Sequence, residues 1–299
     1  MSVRANLRRY FVATRPFALF SSASLALTGG VIAMRFYAGL TPASIGITLI
    51  AVVGLSLFLA AENVFDDYVD TAKGVDVPGA PRTVYSPHGL YSLGMSVEEL
   101  RNYSLALLGA GSALVVATAV AFDRPLLPLF LLMGLPLIFL YPVPKGFKHT
   151  GTGEIDVFLM GVLMVVGTAY AVSGVVSLRE VVLSLPPTII TTSVLLADNM
   201  RDYEWDRAHG VRTLPVKVGM RTASAIYAAL VIASLVTPVI ILWPWGLLSL
   251  AVTPLAVYSI LIVVGARRVP LGMAVRFRFY AVMALTVAYL VALSLPFRA

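Results

Sequence analysis

The chain has 299 residues, of which 59% are hydrophobic and only 12% are charged, and its mean hydropathy is +0.90. About a quarter of the residues in soluble domains are charged, so this composition excludes a soluble globular protein and predicts an integral membrane protein. The net charge is +7, and the absence of cysteine excludes disulfides, thiolate metal sites and palmitoyl anchors. The three histidines are scattered singly, which disfavours a histidine zinc cluster.

Apolar runs long enough to cross a hydrocarbon core of about 30 Å recur along the whole chain. They predict an all-α polytopic membrane protein with nine transmembrane helices. In chain order the predicted helices are 17–37, 43–65, 103–122, 125–141, 154–176, 180–200, 222–242, 245–265 and 277–297. A secretory signal peptide is disfavoured for the first run, because the run exceeds the usual hydrophobic region and no small-residue cleavage site follows.

The distribution of positive charge predicts the orientation of these helices. With the N-terminus in the cytoplasm, 18 of the 22 Lys and Arg residues fall in cytoplasmic segments. The opposite side receives only Arg35, Arg124, Arg179 and Arg298. Because topology accounts for the basic residues, nucleic acid is not an expected partner. The prediction is a multi-pass protein of the cell membrane with a cytoplasmic N-terminus and an external C-terminus.

Two long polar loops, 66–101 and 201–221, fall on the predicted cytoplasmic side. The segment AENVFDDYVDTAKGV at 61–75 aligns without a gap with ADNMRDYEWDRAHGV at 197–211, with seven identities in fifteen positions. An even number of predicted helices separates the two segments, so the two halves run parallel. We therefore predict that helices 1–4 and 5–8 form a diverged parallel repeat, with helix 9 added.

Acidic residues recur at a spacing of four in both segments, and residues four apart lie on one helix face. If the helices continue past the membrane surface, Glu62, Asp66 and Asp70 form one ladder, and Asp198, Asp202 and Asp206 form the other. Facing carboxylates repel each other unless cations lie between them. Oxygen ligands suit Mg²⁺, which is commonly shared between carboxylates and substrate phosphates. The predicted metal ligands are Asn63, Asp66, Asp67, Asp70, Asp198, Asp202 and Asp206.

Basic residues close to both segments are candidates for binding a diphosphate. They are Lys73, Arg82, Lys145, Lys148, Arg201, Arg207 and Lys217. Taken singly, each of these is equally explained as a positive-inside anchor, and each acid as a solvated residue at the membrane surface. Repetition of the whole acidic frame on one side favours the metal site.

The two acidic segments resemble the motifs of the UbiA superfamily of intramembrane aromatic prenyltransferases. The resemblance is to the 1,4-dihydroxy-2-naphthoate prenyltransferase branch of menaquinone synthesis, whose first motif is N-x-x-N-D-x-x-D-x-x-K-G-x-D. That motif is followed from Asn63 to Asp76, and the second motif is similar to DNMRDYEWDRAHGVRTL at 198–214. Two positions depart from the branch, since Asp66 and Asp198 stand where it usually has Asn.

The resemblance extends beyond the motifs to nearly the full chain. The TRPF stretch at 14–17 and GTGEIDVFLMGVLMVVGTAY at 151–170 are also similar to that branch. One UbiA-like domain over residues 1–299 is implied.

What the resemblance implies is a prenyltransferase that uses Mg²⁺ as cofactor and a prenyl diphosphate and an aromatic acceptor as substrates. Its catalytic carboxylates would be Asp66, Asp70, Asp202 and Asp206. Its product would leave sideways into the surrounding membrane lipid. The implied acceptor is 1,4-dihydroxy-2-naphthoate, and the alternatives are 4-hydroxybenzoate and a glycerol-phosphate lipid ether. A secondary transporter is a further alternative, because repeats and intramembrane acids also mark ion pathways.

The predicted orientation can be tested with topology reporters. A reporter fused after Ala299 should be external, and one inserted near Gly89 should be cytoplasmic, because the charge asymmetry places an odd number of crossings between the termini. Protease protection in sealed vesicles reads both positions. Finding both reporters on one side would contradict the orientation.

Overall fold

The structure is a computed structural model. It describes the backbone of residues 3–265 and 271–296 and the side chains of residues 6–265 and 280–296. The C-terminal residue and Arg298, on which part of the predicted orientation rests, lie outside these ranges.

The described residues form helices joined by short connections and include no strand, which confirms the predicted all-α fold. The first group of helices is α1 Val3–Ala13, α2 Leu19–Ala33 with a π-helical extension Met34–Ala38, α3 Pro42–Lys73, α4 Pro81–Tyr85, α5 Val97–Ala121, α6 Leu127–Leu140 and α7 Phe147–Thr150. The second group is α8 Gly153–Ser173, α9 Leu178–Arg201, α10 Tyr203–Ala208, α11 Leu214–Val218, α12 Met220–Ile241, a 3₁₀ segment Trp245–Val252, α13 Thr253–Val263 and α14 Leu271–Ser294.

Seven helical segments in the described part of the chain are long and apolar enough to cross a membrane. Two shorter apolar helices, Leu127–Leu140 and Tyr280–Ser294, lie where the fourth and ninth spans are predicted. The protein is therefore a multi-pass membrane protein, while a count of nine spans stays a prediction. The predicted eighth span differs in form, because it begins as the 3₁₀ segment and becomes α-helical at Thr253.

Helix α3 extends well past the hydrocarbon core, as the ladder prediction requires. Thr41 and Ser44 form a capping box at its start, and Gly74 ends it in a left-handed conformation at φ 73°. Its 32 residues rise about 48 Å, against a core of about 30 Å. The excess carries the first acidic segment beyond the core on a continuous helix.

The second acidic segment is not continuous, and here the ladder prediction is wrong. Helix α9 ends at Arg201, Asp202 lies at the break with φ −90° and ψ 2°, and α10 begins at Tyr203. Asp198 therefore lies on one helix and Asp206 on another. Arg201, the last residue of α9, forms ion pairs with Asp198 before the break and with Asp202 at the break.

The two halves of the chain pack in the same order. Helix α2 contacts α3, which contacts α5, and in the second half α8 contacts α9, which contacts α12. The first helices of the halves, α2 and α8, also pack against each other. This arrangement agrees with the predicted parallel repeat and brings the ends of α3 and α9 to the same end of the bundle, which we call the motif end.

Close packing of α2 against α8 depends on Gly29. A Cβ atom at this position would lie 2.4 Å from the carbonyl oxygen of Val165 and 2.8 Å from Cβ of Thr168. The backbone oxygen cannot move aside without moving α8, so only glycine permits this approach.

Replacing Gly29 with alanine should separate the two halves and destabilise the protein. We expect Gly29→Ala to lower the free energy of unfolding by about 1–3 kcal/mol, as overpacking of a filled core does. Thermal unfolding in detergent measures this, with Gly46→Ala as the matched control, because a Cβ at Gly46 meets nothing within 4 Å. Equal melting temperatures for both variants would contradict the packing argument.

Candidate active site

The first acidic segment gathers around the ammonium of Lys148. Nζ of Lys148 donates to Oδ1 of Asp66 at 2.8 Å and to Oδ2 of Asp70. Lys148 is the second residue of α7, and the two aspartates lie one turn apart on α3. Burial disfavours the charged ammonium, but the two carboxylates outweigh burial and raise the pKa of Lys148 well above its ordinary value. A single positive charge thus lies between the two acids of the predicted ladder.

Asp67 has a different environment, because both of its oxygens are engaged by guanidinium groups. Its side chain is 0% exposed, and Arg82 binds it with two hydrogen bonds of 2.9 and 2.8 Å. Arg15 donates to the same carboxylate and also contacts Asp66 at 3.4 Å. Asp67 therefore holds two arginines at the site, and its predicted role as a metal ligand stays a prediction.

A buried hydrogen-bond network fixes the loop that follows α3. Nδ1 of His88 accepts from the backbone N–H of Leu90 at 3.2 Å, so Nε2 carries the proton and donates to Asp76 at 3.1 Å. The hydroxyl of Tyr91 donates to the backbone oxygen of Asp76 at 2.9 Å. One ligand atom each from Asp67, Asp76 and His88 lies within 4.8 Å of the others, but the Nε2 proton and the arginines on Asp67 fit a structural network better than a metal site.

The second acidic segment is organised by Arg201. Its guanidinium contacts both oxygens of Asp202 at 2.6 Å and Oδ1 of Asp198 at 3.1 Å, and it lies over the ring of Tyr85 at 5.0 Å from the centroid. Asp198 is the most open of these groups, with 35% of its side chain exposed. Arg201 therefore serves this segment as Lys148 serves the first.

Asp206 is buried and weakly compensated. Its described hydrogen bond comes from the hydroxyl of Thr213 at 3.1 Å. Burial raises the pKa of Asp206 to about 7, the charge of Lys148 opposes this shift, and repulsion from Asp202 adds to it. Burial likewise raises the pKa of Asp202, against the effect of Arg201. A further cation would stabilise the ionised form of both groups.

The two acidic segments meet at the motif end. The charge of Lys148 acts on Asp202 and Asp206 as well as on its two direct partners. The indole N–H of Trp205, in α10, donates to the backbone oxygen of Val75 at 3.1 Å. The segments are thus joined by one shared charge and one direct hydrogen bond.

The two asparagines of the repeated frame have equivalent roles in the two halves. The amide of Asn63 donates to the backbone oxygen of Thr14 at 3.1 Å, just before α2. The amide of Asn199 donates to Oε1 of Glu154 at 2.9 Å, in the first turn of α8. Each asparagine therefore ties the acidic segment to the start of its own half, and the predicted ligand Asn63 has its amide nitrogen engaged in this way.

The predicted diphosphate-binding residues fall into two groups. Arg82, Lys148 and Arg201 lie among the acids. Lys73, Lys145 and Arg207 are exposed and make no ion pair in the described part of the chain. Lys217 donates to the backbone oxygen of Thr150 at 2.7 Å, which braces the turn that carries Lys148.

Three groups at the site were absent from the residues chosen by sequence reasoning, namely Arg15, Asp76 and His88. Arg15 and Asp76 belong to the TRPF stretch and to the end of the first motif, so their positions in the family pattern are a signal for them. His88 has no such signal, because its partner Asp76 is twelve residues away in a loop.

The donor set fits a divalent metal. All its atoms are oxygens, as Mg²⁺ prefers, and Oδ1 of Asp70 is buried without a hydrogen-bond partner among the described residues. A buried acceptor left unpaired costs about 1–3 kcal/mol, and a cation at this position would satisfy it. Among the predicted ligands, Asp70 and Asp206 are the least compensated and would gain most from such an ion.

The fold and this site define a multi-pass helical membrane protein with two acidic motifs at one end of its bundle. The chain belongs to the UbiA prenyltransferase family, whose sequence profile matches residues 23–281. This confirms the resemblance drawn from the motifs.

Individual relatives match at modest identity. The chain is 30% identical to a 1,4-dihydroxy-2-naphthoate octaprenyltransferase from Mycobacterium leprae over 221 residues, which are 70% of each protein. It is 27% identical to a UbiA prenyltransferase domain-containing protein 1 homologue from Drosophila melanogaster over 233 residues, which are 76% of this chain and 63% of the fly protein. The chain thus spans less than two thirds of the length of the fly relative.

A solved structure shares the fold. A UbiA homologue from Archaeoglobus fulgidus, bound to GPP and Mg²⁺, superposes with a TM-score of 0.64 at 18% identity and covers 96% of this chain and 99% of its own.

The hydrogen bond from Trp205 to Val75 should set the separation of the two acidic segments. Trp205→Phe keeps an aromatic ring to stack on His209, which lies 4.0 Å away, but removes the N–H donor. A hydrogen bond of this kind contributes about 1 kcal/mol, so we expect Mg²⁺ affinity to weaken about fivefold in calorimetric titration. The control is Trp243→Phe, at a tryptophan that is 63% exposed. Unchanged affinity in Trp205→Phe would show that this contact does not position the acids.

Proposed function

We propose that the protein transfers a prenyl group from a prenyl diphosphate to an aromatic acceptor in an Mg²⁺-dependent reaction, with 1,4-dihydroxy-2-naphthoate as the acceptor. The observation that carries the proposal is that one face of α3 holds both an apolar groove and the acidic ladder. A prenyl diphosphate has the same division, with an apolar tail joined to a highly charged head.

The groove lies between α3, α5, α6 and α8 and has a volume of about 780 Å³ including its open mouth. Residues that line it include Ile47, Gly54, Phe58, Leu114, Phe130 and Met160. From Ile47 to Phe58 it follows α3 for about 16 Å. The next residues on the same face, at a spacing of four, are Glu62, Asp66 and Asp70. A tail in the groove would direct its diphosphate to the acids.

The groups at the motif end have distinct roles in this proposal. Asp66, Asp70, Asp202 and Asp206 would hold Mg²⁺, which when bound neutralises charge on the diphosphate as it leaves. Lys148, Arg82 and Arg201 would bind phosphate oxygens, each exchanging part of its present carboxylate contact for the substrate. Arginine suits this exchange, because its planar donors bind phosphate and carboxylate alike.

The reaction breaks the C–O bond of the prenyl diphosphate, and the bonding electrons leave with the diphosphate. The allylic carbon then accepts an electron pair from a ring carbon of the acceptor, which forms a C–C bond. The ring becomes aromatic again when that carbon loses its former substituent, either a proton or a carboxylate that leaves as CO₂. Location of this step beside the apolar groove would limit the access of water to the allylic cation. A dry site also strengthens each electrostatic contact.

The transporter alternative predicts acids near the middle of the membrane. The acids of this site instead lie on the extension of α3 and at the end of α9. Their position at one end of the bundle favours the prenyltransferase.

The direct test is an assay of the detergent-solubilised protein with radiolabelled geranylgeranyl diphosphate, Mg²⁺ and a panel of acceptors. We expect a labelled lipid product with 1,4-dihydroxy-2-naphthoate that disappears on chelation of the metal. Product only with 4-hydroxybenzoate or with a glycerol-phosphate acceptor would overturn the acceptor, and no product with any of them would overturn the prenyl transfer.

Charge removal at the ladder should abolish turnover while the fold persists. Asp70→Asn and Asp202→Asn keep the size of the side chain, but each removes one anionic ligand. Since such a metal contributes several kcal/mol and each 1.4 kcal/mol is about tenfold in rate, we expect turnover to fall at least about 100-fold. Asp66→Asn should retain much of the activity, because it restores the residue usual in the naphthoate branch.

The matched control for these variants is Glu204→Gln, at an exposed acid in α10. Its turnover should stay within about twofold of the wild type. Loss in Asp66→Asn as severe as in Asp202→Asn would mean that Asp66 is a required anionic ligand and that the alignment to the naphthoate branch is wrong. Full activity in Asp66→Asn, Asp70→Asn and Asp202→Asn would contradict the proposed metal–diphosphate site.

A further inference from the structure

Asp156 is a buried acid that the proposed metal and diphosphate contacts leave unused. It lies in the first turn of α8, it is 2% exposed, and its Oδ1 has no hydrogen-bond partner among the described residues. An ionisable group in this condition within a membrane protein is costly and marks a functional position.

The helix face on which Asp156 lies is the face that lines the groove. Met160, Met164 and Gly167 line the groove from α8, and Asp156 precedes Met160 by one turn. On α3, Glu62 has the same relation to the groove residue Phe58. Both acids therefore lie just beyond the end of the apolar groove.

The charges of Asp156 and Asp66 both act on the carboxylate of Glu62. Along α3 toward the motif end there are thus three successive levels. The apolar groove comes first, Glu62 and Asp156 form the middle level, and the ladder acids Asp66 and Asp70 form the last. One helical turn of four residues separates successive levels on α3, or about 6 Å. A prenyl diphosphate with its tail in the groove and its head at the ladder places its reacting carbon at the middle level.

Other polar groups complete this level. The ring of Tyr141 packs against the first residue of α8, 3.2 Å from where a Cβ of Gly153 would lie. The charges of Lys148, Asp66, Glu62 and Glu154 act on its hydroxyl. Oε2 of Glu154 is a second buried oxygen without a partner in the described part of the chain. Arg15 supplies positive charge to Glu62, whereas Asp156 has no described cation.

We propose that Asp156 is the base that binds the acceptor's hydroxyl group and takes its proton. This inference rests on the proposed prenyl transfer and adds the group that activates the acceptor. It applies to a phenolic hydroxyl and to an alcohol alike, since both are stronger nucleophiles once deprotonated.

The O–H bond of the acceptor breaks and its proton goes to the carboxylate of Asp156, while the electron pair stays on oxygen and is delocalised to the ring carbon. That carbon bonds to the allylic carbon, whose bond to the diphosphate oxygen breaks with its electron pair on the leaving group. The resulting ring ketone becomes a phenol again when the ring carbon loses its former substituent, a proton or a carboxylate that leaves as CO₂, and the oxygen takes a proton back from Asp156. Proton transfer to a positioned carboxylate contributes about 10²–10⁴-fold to the rate.

The decisive experiment varies the acidity of the acceptor. Asp156→Asn keeps the shape of the side chain but removes the base, and we expect transfer to 1,4-dihydroxy-2-naphthoate to fall about 10²–10⁴-fold. Affinity for Mg²⁺ and for geranylgeranyl diphosphate, measured by calorimetry, should stay within about twofold. With ring-fluorinated 1,4-dihydroxy-2-naphthoates of increasing acidity the deficit should shrink, because an acceptor that is already ionised needs no base. A structural role would not produce this trend.

The control is Glu180→Gln, because Glu180 is equally buried, has an unpartnered Oε1, and forms the capping box at the other end of the bundle. Glutamine retains that cap, so transfer should be unchanged. A deficit in Asp156→Asn that is constant across the fluorinated series, or transfer within twofold of the wild type, would overturn the role as base.

A second variant keeps the inference falsifiable if Asp156→Asn is not recovered from membranes. Asp156→Glu retains a carboxylate, so its rate of transfer should depend on the acidity of the fluorinated acceptors as weakly as the rate of the wild type does. A rate that rises steeply with acceptor acidity in Asp156→Glu would overturn the proposal. A wild-type protein that is inactive with every acceptor would instead overturn the prenyl transfer itself, so the two failures are distinguishable.

Discussion

The constraint on which the structure depends is the cost of gathering carboxylates beside a low-dielectric slab. Ionised acids at such a position need cations within a few ångströms, because neither water nor lipid compensates them there. Arg15, Arg82, Lys148 and Arg201 supply this charge. They come from four separate parts of the chain, so the loops at the motif end must fold back over α3 and α9. The network on His88 and the brace from Lys217 to Thr150 serve that end.

The carboxylates are not equally well compensated by cations and hydrogen bonds. This difference separates acids that support the structure from acids that are available for function. Asp67 is paired on both oxygens and acts as a fixed anchor. Asp70 and Asp206 are left short of partners, with a bare buried oxygen on the first and a pKa raised by burial to about 7 on the second. Groups that remain partly unsatisfied lower stability, and they are the groups that gain most from a bound cation. The same division of roles is common at functional sites, where local cost is offset by packing elsewhere.

The chemical character of the side chains changes with position along the bundle axis. Apolar side chains occupy the groove, the acids Glu62 and Asp156 follow one turn later, and the ladder with its cations comes last. Because α3 and α8 present these levels on facing sides, a substrate with an apolar tail and an anionic head has one favourable direction of entry. Long helices would hold the tail and the reacting carbon in the proposed reaction. Two of the cations proposed to meet the diphosphate, Arg82 and Lys148, lie in the short helices α4 and α7. In the proposed reaction, the long helices would position the reacting atoms precisely. The basic side chains at the motif end would make more adaptable contacts with the charged diphosphate.

The sequence by itself determined the fold class, the family and the location of both acidic segments, because hydropathy and a repeated frame of A, N, D and G are local patterns. It also predicted that Lys148, Arg82 and Arg201 lie near the acids. Only the tertiary structure decided which carboxylate pairs with which cation, since Asp66 and Lys148 are 82 residues apart. The contact of Asp67 with Arg15, 52 residues away, is likewise a product of tertiary packing. Asp156 lies in the stretch at 151–170 that resembles the naphthoate branch, but the sequence does not distinguish its role from that of Glu154. Its significance arises because α8 packs against α3 and buries Asp156 one turn before the groove residue Met160.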